Sequence, residues 1–191
     1  MKLTPKIEKA IQKASLLHQN QLRKGQPFPY VSHLFSVAII LFEFTSDEDI
    51  IVAGILHDTL EDTNYTADEL EKDFGLKVKE IVLGVSEEKT RDGIKIDWLE
   101  RKQKYLERLK NDSLESLIVC AADKIHNLTS LMNDYKIRGE GIWQNFNAVK
   151  EKKIWYYGET LKAIREKLDN PIVGEYEKIY NEAIELFKIK Q

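Results

Sequence analysis

Apolar residues recur at intervals of three or four along most of the chain, which is the spacing of an amphipathic helix. The positions from Ile7 to Leu22 predict a first helix, and the glycine and prolines from Gly25 to Pro29 predict the loop that follows it. A second helix is expected from about Ser32. No segment of useful length alternates between apolar and polar residues, so we predict an all-α fold of about eight to ten helices.

Short-range signals indicate where several helices begin and end. Thr66 with Glu69 has the spacing of a capping box, and Gly75 is expected to end that short helix. Asp49 follows Ser46 at the same spacing and opens a third helix. Further helices are predicted over residues 77–85, 97–110 and 145–168, with a long helix after 111–113 and a last one after 170–171. The polar segment 87–95 is predicted to be a mobile loop.

Composition and charge exclude some classes of function. The 191 residues contain 29 Lys and Arg and 32 Asp and Glu, a net charge of −3, so we expect no nucleic-acid partner. No apolar run has the length of a membrane span, and the N-terminus lacks the apolar core of a signal peptide, so no membrane association is expected. The one cysteine, Cys120, lies in an apolar run and is predicted to be buried; it favours a reducing compartment, the cytoplasm. A homo-oligomer is compatible with this sequence.

Histidines and acidic residues cluster directly after one apolar run. His57 and Asp58 are predicted to lie inside the third helix, and Glu61 and Asp62 follow four residues later, on the same helical faces. Buried charges of this kind need compensation, and a bound metal ion is one source of it. Imidazole with carboxylate suits a divalent ion such as Mn, Fe or Zn. The alternative is that these residues form only a solvated helix end.

Two other predicted helices contribute residues of the same kind. His33 begins one apolar helix, and Asp123 follows the apolar run 117–122 in another. Each residue alone is more simply explained as structural. The order His33, His57-Asp58, Asp123 across three helices is harder to explain in that way, and it favours a metal site.

This order is that of the HD superfamily, and the resemblance covers about residues 10–135. The segments that carry it are HQNQLRKGQPFPYVSH at 18–33, LHDTLEDT at 56–63, FG at 74–75 with IVLGVS at 81–86, and ADKIHNL at 122–128. Together they resemble the hydrolase domain of the RelA/SpoT family and the small alarmone hydrolases. The chain departs from the usual pattern at Glu87, where Lys follows Gly-Val-Thr in the family, and at Lys124, where Arg is common.

The resemblance implies a fold, a cofactor and roles for particular residues. It implies a single helical HD domain, with its core in residues 1–140 and C-terminal helices in 141–191 that pack on the same domain. It implies Mn²⁺ as the expected divalent cofactor. The implied metal ligands are His33, His57, Asp58 and Asp123; the catalytic acidic pair is Glu61 and Asp62; the residues facing the nucleotide are Arg23, Lys24 and Asn127. His18 and His126 are interpreted as supporting residues rather than ligands. The alternative for Arg23 and Lys24 is an ordinary exposed basic pair.

The implied activity is metal-dependent removal of the 3′-pyrophosphate of (p)ppGpp, which gives GDP or GTP and pyrophosphate. A divalent ion suits this reaction because it neutralises phosphate charge and lowers the pKa of water. Two alternatives stay open. One is an HD phosphohydrolase acting on another nucleotide, and the other is a catalytically silent nucleotide-binding module.

Overall fold

Helices make up most of the structure, as the sequence predicts. The computed structural model describes residues 2–91, 93–146 and 148–189. Its α-helices, in chain order, are α1 Pro5–Leu17, α2 Val31–Phe44, α3 Glu48–Leu56, α4 Thr59–Asp62, α5 Ala67–Phe74, α6 Leu76–Val85, α7 Trp98–Leu109, α8 Leu114–Arg138, α9 Lys150–Arg165 and α10 Ile172–Phe187. A 3₁₀ helix covers Gly139–Asn145, and two short strands cover Thr90–Arg91 (β1) and Ile94–Lys95 (β2).

Side-chain caps fix several helix starts. The hydroxyl of Thr66 accepts from the backbone N–H of Glu69, whose carboxylate accepts from the N–H of Thr66, so the predicted capping box of α5 is confirmed. Asp97 caps α7 by accepting from two backbone N–H groups, and Ser113 caps α8. The third helix is capped by Asp47, between the two residues that the sequence singles out.

The first helix is shorter than the sequence predicts. It ends at Leu17 rather than near Leu22, because the residues beyond it bond to the following loop. The carbonyl of Gln21 accepts from the N–H of Tyr30 at 2.8 Å, and the N–H of Arg23 donates to the carbonyl of Phe28 at 3.0 Å. These bonds hold residues 21–30 as a closed loop against the start of α2.

Two other boundaries also differ from prediction. The helix expected from residue 145 begins at Lys150, since α8 ends at Gly139 in a left-handed conformation (φ +59°) and a 3₁₀ helix follows. The predicted loop 87–95 contains a small hairpin instead, in which Thr90 pairs with Lys95 and Arg91 with Ile94. Asp92, within that segment, lies outside the described residues.

Helix α8 lies at the centre of the fold. Residues 116–125 of this helix are all buried, and α2, α3, α6 and α10 pack against it. Cys120 is buried there, as predicted. Helix α9 packs on α7 and α10, and α10 packs on α8, so the C-terminal helices contact both α7 and the central helix. The assignment of residues 141–191 to the same domain stays a prediction. In the part of the chain that the structure describes, no helix is both long and apolar enough to cross a bilayer.

The chain breaks its helix at His57 and Asp58, where one continuous helix is expected from the sequence. Two side chains take backbone carbonyls at this point: Nδ1 of His57 donates to the carbonyl of Gly54 at 2.8 Å, and the hydroxyl of Thr59 donates to that of Leu56 at 2.6 Å. Side chains that bond to nearby carbonyls compete with the helical pattern. The break ends α3 and starts α4, so the acidic residues of α4 are not simply one turn further along the same helix.

Candidate metal and phosphohydrolase site

Four side chains from three parts of the fold meet at one point. His33 comes from α2, His57 and Asp58 from the junction of α3 and α4, and Asp123 from the middle of α8. Nε2 of His33 lies 3.1 Å from Oδ1 of Asp123 and 3.7 Å from Oδ2 of Asp58. Nε2 of His57 lies 3.0 Å from Oδ2 of Asp58 and 3.6 Å from Oδ1 of Asp123. The structure thus brings together all four ligands that the resemblance implies.

The separations of these four atoms suit a metal ion. Ligand bonds of about 2.0–2.2 Å put neighbouring donor atoms roughly 2.8–3.6 Å apart, for angles between 90° and tetrahedral. Nε2 of His57 is buried and has no hydrogen-bond partner in the described chain, which is costly unless something else occupies its lone pair. Ligand atoms of His33, His57 and Asp58 all lie within 4.8 Å of one another. The residues present therefore fit a divalent ion.

A second set of residues holds the four ligands in place. Because a carbonyl can only accept, the bond to Gly54 puts the proton of His57 on Nδ1 and leaves Nε2 free to bind a metal. Nδ1 of His33 lies 2.7 Å from Nδ1 of His126, so His126 supports a ligand rather than serving as one. The hydroxyl of Tyr30 donates to Asp58 at 2.5 Å.

Asp123 has two neighbours of its own on α8. Lys124 lies 2.7 Å from Oδ2 of Asp123, and Nδ2 of Asn127 donates to Oδ1 at 2.5 Å. Burial raises the pKa of Asp123, but Lys124 and the two ligand histidines lower it more, so the net pKa is well below the usual value. Lys124, which stands where Arg is common in the family, is itself buried against Asp123.

The acidic pair Glu61 and Asp62 lies beside the four ligands. Oε1 of Glu61 accepts from the backbone N–H of Glu87 at 2.7 Å, and Oε2 lies 3.1 Å from the ammonium of Lys89. Asp62 accepts from the same ammonium and, at 3.0 Å, from the side-chain amide of Gln21. Burial, followed by the charge of Asp58, raises the pKa of Glu61 to about 7. The arrangement holds both carboxylates at the edge of the metal cluster.

Glu87 anchors the segment that carries Lys89. Its carboxylate lies 3.0 Å from Nε of Arg101 and 2.5 Å from Nζ of Lys102, both on α7, and its side chain is only 9% exposed. Burial raises the pKa of Glu87, but the charges of Lys102 and Lys124 lower it by more, so the net shift of the pKa is downward. The acidic residue at this departure from the family pattern thus fixes the segment to α7.

The three predicted substrate-binding residues divide between two adjoining cavities. Arg23 and Asn127 line a cavity of about 200 Å³ together with the four ligands and the acidic pair, and the guanidinium of Arg23 donates to the amide oxygen of Asn127. Lys24 does not line this cavity. It lines a second cavity of about 230 Å³, which shares Arg23, Tyr30 and Asn127 with the first.

Several residues at the site carry no functional prediction from the sequence. Lys89 lies in a segment read only as a loop, and its position depends on the hairpin and on the long-range anchor at Glu87. Tyr30 had a local signal, since it precedes His33 by one helical turn. His18, interpreted from the sequence as a supporting residue, is buried; its Nδ1 lies 2.6 Å from the side-chain oxygen of Gln21, and among the described residues it makes no hydrogen bond to the four candidate ligands.

Comparison with known families decides the assignment. A family model described as an HD domain matches residues 10–150, which is most of the chain. The chain belongs to the HD domain family. HD domains bind a divalent metal, and the cluster of His33, His57 and Asp58 is the corresponding feature here.

Curated relatives of this HD domain chain include named hydrolases. The guanosine-3′,5′-bis(diphosphate) 3′-pyrophosphohydrolase MESH1 of Mus musculus is 39% identical over 117 residues, which cover 60% of this chain and 63% of that protein. The Homo sapiens protein of the same name is 39% identical over 121 residues, covering 62% and 65%. A GTP pyrophosphokinase of Streptomyces coelicolor is 36% identical over 126 residues, covering 65% of this chain and 14% of that one. The chain thus covers less than two thirds of each of these relatives.

Solved structures extend the likeness beyond the matched sequence. A structure described as a metazoan ortholog of SpoT that hydrolyzes ppGpp has a TM-score of 0.78 and 26% identity, covering 95% of this chain and 97% of that one. A protein of Listeria monocytogenes EGD-e has a TM-score of 0.71 and 30% identity, covering 82% and 99%. Most of this chain therefore has the same all-α fold as these two structures.

Proposed function

We propose that this chain is a metal-dependent 3′-pyrophosphohydrolase of (p)ppGpp. The observation that carries the proposal is that one cavity is lined by the four candidate ligands, the acidic pair and the basic residue Arg23. The similarity to proteins named for this activity supports the choice of substrate. A reducing compartment fits the single Cys120, and we propose the cytoplasm as the place of action.

The proposed ligands are His33, His57, Asp58 and Asp123, and the proposed ion is Mn²⁺. Two imidazoles and two carboxylates suit a first-row transition metal with positions left for other ligands. When bound, such an ion neutralises phosphate charge and lowers the pKa of water toward neutrality. His57 is bonded through Nδ1 to the carbonyl of Gly54, and His33 through Nδ1 to His126. These bonds hold the Nε2 atoms of both imidazoles toward the proposed metal position.

The proposed reaction is attack of water on the phosphorus next to the ribose 3′ oxygen. The oxygen of water forms a bond to this phosphorus while the bond to the 3′ oxygen breaks, which gives pyrophosphate and a free 3′ hydroxyl. The role we propose for Glu61 is to accept the proton of the attacking water, because its raised pKa of about 7 suits exchange of a proton near neutrality. Asp62, held by Lys89 and Gln21, would assist by relaying that proton to the departing 3′ oxygen, which becomes the free 3′ hydroxyl.

Arg23 and Asn127 are proposed to bind the nucleoside part of the substrate. They are bonded to each other, and Asn127 is bonded to Asp123, so both are fixed relative to the metal cluster. The guanidinium carbon of Arg23 lies 5.5 Å from the ring centroid of Tyr30. A planar guanidinium suits stacking on a base or binding of phosphate.

The test is a substrate panel with purified protein and Mn²⁺. We expect rapid release of pyrophosphate from ppGpp and pppGpp and little from ATP, GTP or deoxynucleotides, which have no 3′ phosphate. Glu61→Gln is the matched inactive control, and chelation by EDTA should stop the reaction. Robust cleavage of ordinary triphosphates without cleavage of ppGpp would favour an HD phosphohydrolase of another nucleotide. Binding without turnover of any nucleotide would favour a silent binding module.

A further inference from the structure

A second cavity adjoins the proposed catalytic cavity and carries a different chemistry. It has a volume of about 230 Å³ and shares Arg23, Tyr30 and Asn127 with the catalytic cavity, so the two cavities adjoin at these residues. Its other side is formed by Lys24, Phe146, Lys153 and Tyr157. None of its residues is among the candidate metal ligands. A ligand long enough to span these shared residues would contact both cavities.

Two ammonium groups meet at one aromatic ring in this cavity. Nζ of Lys153 lies 4.1 Å from the ring centroid of Phe146 and 5.7 Å from that of Tyr157, and Nζ of Lys24 lies 5.8 Å from the same Phe146 ring. These rings give weak cation–π attraction, but they carry no negative charge. Two lysines and Arg23 thus make the cavity strongly cationic.

Lys153 has no anionic partner in the described part of the chain. No carboxylate there lies within 4 Å of its ammonium, although ion pairs of that length are common elsewhere in the structure. Asp134, which also lines the cavity, lies 3.3 Å from the guanidinium of Arg138. The side chain is partly buried among other cations. Burial, followed by the charges of Lys102, Lys124, Lys24 and Arg23, lowers the pKa of Lys153 to about 7.

An ammonium in this position is costly to keep charged, and a lowered pKa is the expected response of a cation that has no counter-ion. A bound anion would supply the missing negative charge and would make charge-assisted hydrogen bonds with the ammonium. The cavity adjoins the site proposed for the 3′-pyrophosphate, so one molecule with an anionic group at each end would span the two. A nucleoside with phosphates at both its 3′ and 5′ positions has this shape.

We propose that the cavity formed by Lys24, Phe146, Lys153 and Tyr157 binds the 5′-phosphates of the nucleotide, with Lys153 as their main counter-ion. The proposal rests on the proposed function for the identity of the nucleotide, but not for the binding of a 5′-diphosphate as such. It makes Lys153 a determinant of specificity, because a nucleotide without 5′-phosphates would leave the cation uncompensated. It also assigns Arg23 to the sugar or base between the two phosphate groups.

Calorimetric titration without metal tests the binding step directly. GDP and guanosine would be titrated in EDTA into the full-length wild-type chain, Lys153→Met, Lys153→Arg and the control Lys152→Met, an exposed lysine on the same helix. We expect wild type and Lys152→Met to bind GDP equally. Lys153→Met should bind GDP roughly ten- to hundredfold more weakly, the range for losing a charge-assisted hydrogen bond, and Lys153→Arg should recover most of it. Guanosine should bind weakly to all four proteins.

Unfolding measurements separate this role from a structural one. If the ammonium has no counter-ion in the free protein, Lys153→Met should melt at the same temperature as wild type or higher, and GDP should raise the melting temperature of wild type more than that of the variant. A Lys153→Met chain that melts lower without ligand would contradict the proposal, because it would show that the cation is compensated within the fold. Equal GDP affinity of Lys153→Met and wild type, or equal affinity of wild type for GDP and guanosine, would also overturn it; the latter result would assign the cavity to the base.

Steady-state kinetics then distinguish this inference from the proposed function. With ppGpp, Lys153→Met should raise KM with little change in kcat, and with guanosine 3′-diphosphate the variant and wild type should have similar KM values. If the wild type does not hydrolyse ppGpp, but Lys153→Met binds GDP more weakly than the wild type, the proposed function is wrong and the phosphate site stands. If wild type hydrolyses ppGpp and Lys153→Met is unchanged in KM and in GDP affinity, the phosphate site is wrong and the function stands.

Discussion

Individual side chains at the site are oriented by hydrogen bonds to neighbouring residues. His57 donates through Nδ1 to a backbone carbonyl, and His33 is bonded through Nδ1 to His126, so both Nε2 atoms point to the same centre. Tyr30 donates to Oδ2 of Asp58, the oxygen that faces both histidine nitrogens. Lys124 lies against Oδ2 of Asp123, and Oδ1, which faces the same nitrogens, also accepts from Asn127. Because these partners already hold the candidate ligands in position, the side chains need little rearrangement to bind a metal ion.

Removing the acidic function at Glu61 or Asp62 should separate catalysis from binding. Glu61→Gln and Asp62→Asn keep the size of the side chains, so we expect metal content and nucleotide affinity close to wild type. Each variant should lose about 10²–10⁴-fold in kcat, the usual contribution of a general acid or base. Metal analysis, calorimetry and steady-state rates check the three quantities. Near-normal kcat in the double variant would show that the pair is only a helix end.

Lys89 should matter for kcat more than for substrate affinity. Its ammonium contacts both Glu61 and Asp62, so Lys89→Ala removes the group that fixes the two carboxylates relative to each other. Because the lysine side chain is 40% exposed, we expect a modest loss of kcat, roughly five- to twentyfold. Lys89→Arg should recover part of it. The matched control is Lys95→Ala, an exposed lysine on β2, and an equal loss in this control would mean that hairpin stability, rather than the ion pair, is responsible.

At the scale of elements, local signals predicted helices well where the cap and the periodicity agree. The box at Thr66 and Glu69 and the stop at Gly75 gave α5 with the correct ends, because each signal acts within four residues. Boundaries that depend on distant or competing bonds could not be predicted in this way. Examples are the end of α1 at Leu17, which depends on the closed loop 21–30, and the break after Leu56, where side chains take backbone carbonyls.

The loop that carries Arg23 and Lys24 is tied to the far end of α8 by one residue. Nη1 of Arg138 donates to the carbonyl of Gly25 at 3.1 Å, and Gly25 has a left-handed conformation (φ +74°) that holds the turn. Arg138→Met should therefore loosen the loop and raise KM for ppGpp a few-fold with kcat unchanged, since the reacting phosphate lies elsewhere. Lys136→Met, an exposed neighbour in the same turn, is the control. A fall in kcat at constant KM would contradict this role for the loop.

Across the whole molecule, the candidate metal ligands could be predicted from the order of residues along the sequence. The residues that contact them could not, because those contacts depend on how the helices pack. The candidate ligands His33, His57-Asp58 and Asp123 could be recognised in the sequence because each follows or begins an apolar run. Lys89 and Lys153 stand in polar or mixed segments whose positions depend on contacts with α4, α7 and the 3₁₀ region. Charge on a surface segment is ordinary in a sequence, and only the fold distinguishes a lysine that faces a carboxylate pair from one that faces solvent.

Metal binding should stabilise the whole molecule, because its candidate ligands join α2, the junction of α3 and α4, and α8. A ligand that binds only the folded state stabilises it by about 2.7 kcal/mol at a concentration one hundred times its Kd. For a chain of this size that corresponds to about 5–10 °C in melting temperature. We therefore expect Mn²⁺ to raise the melting temperature of the EDTA-treated protein by an amount of this order.

The decisive comparison is the increment with Mn²⁺, measured by calorimetry for wild type and Asp123→Asn. Asp123→Asn removes the charge that pairs with buried Lys124, so the variant should melt lower than wild type even without metal. Subtracting each protein's melting temperature in EDTA from its value in Mn²⁺ removes this difference and leaves the metal contribution alone. The increment should shrink by more than half in Asp123→Asn and stay at the wild-type value in Asp169→Asn, an exposed acidic control between α9 and α10. An undiminished increment in Asp123→Asn would exclude Asp123 from the ligand set, and an absent increment in wild type would mean that the four donor atoms do not hold Mn²⁺.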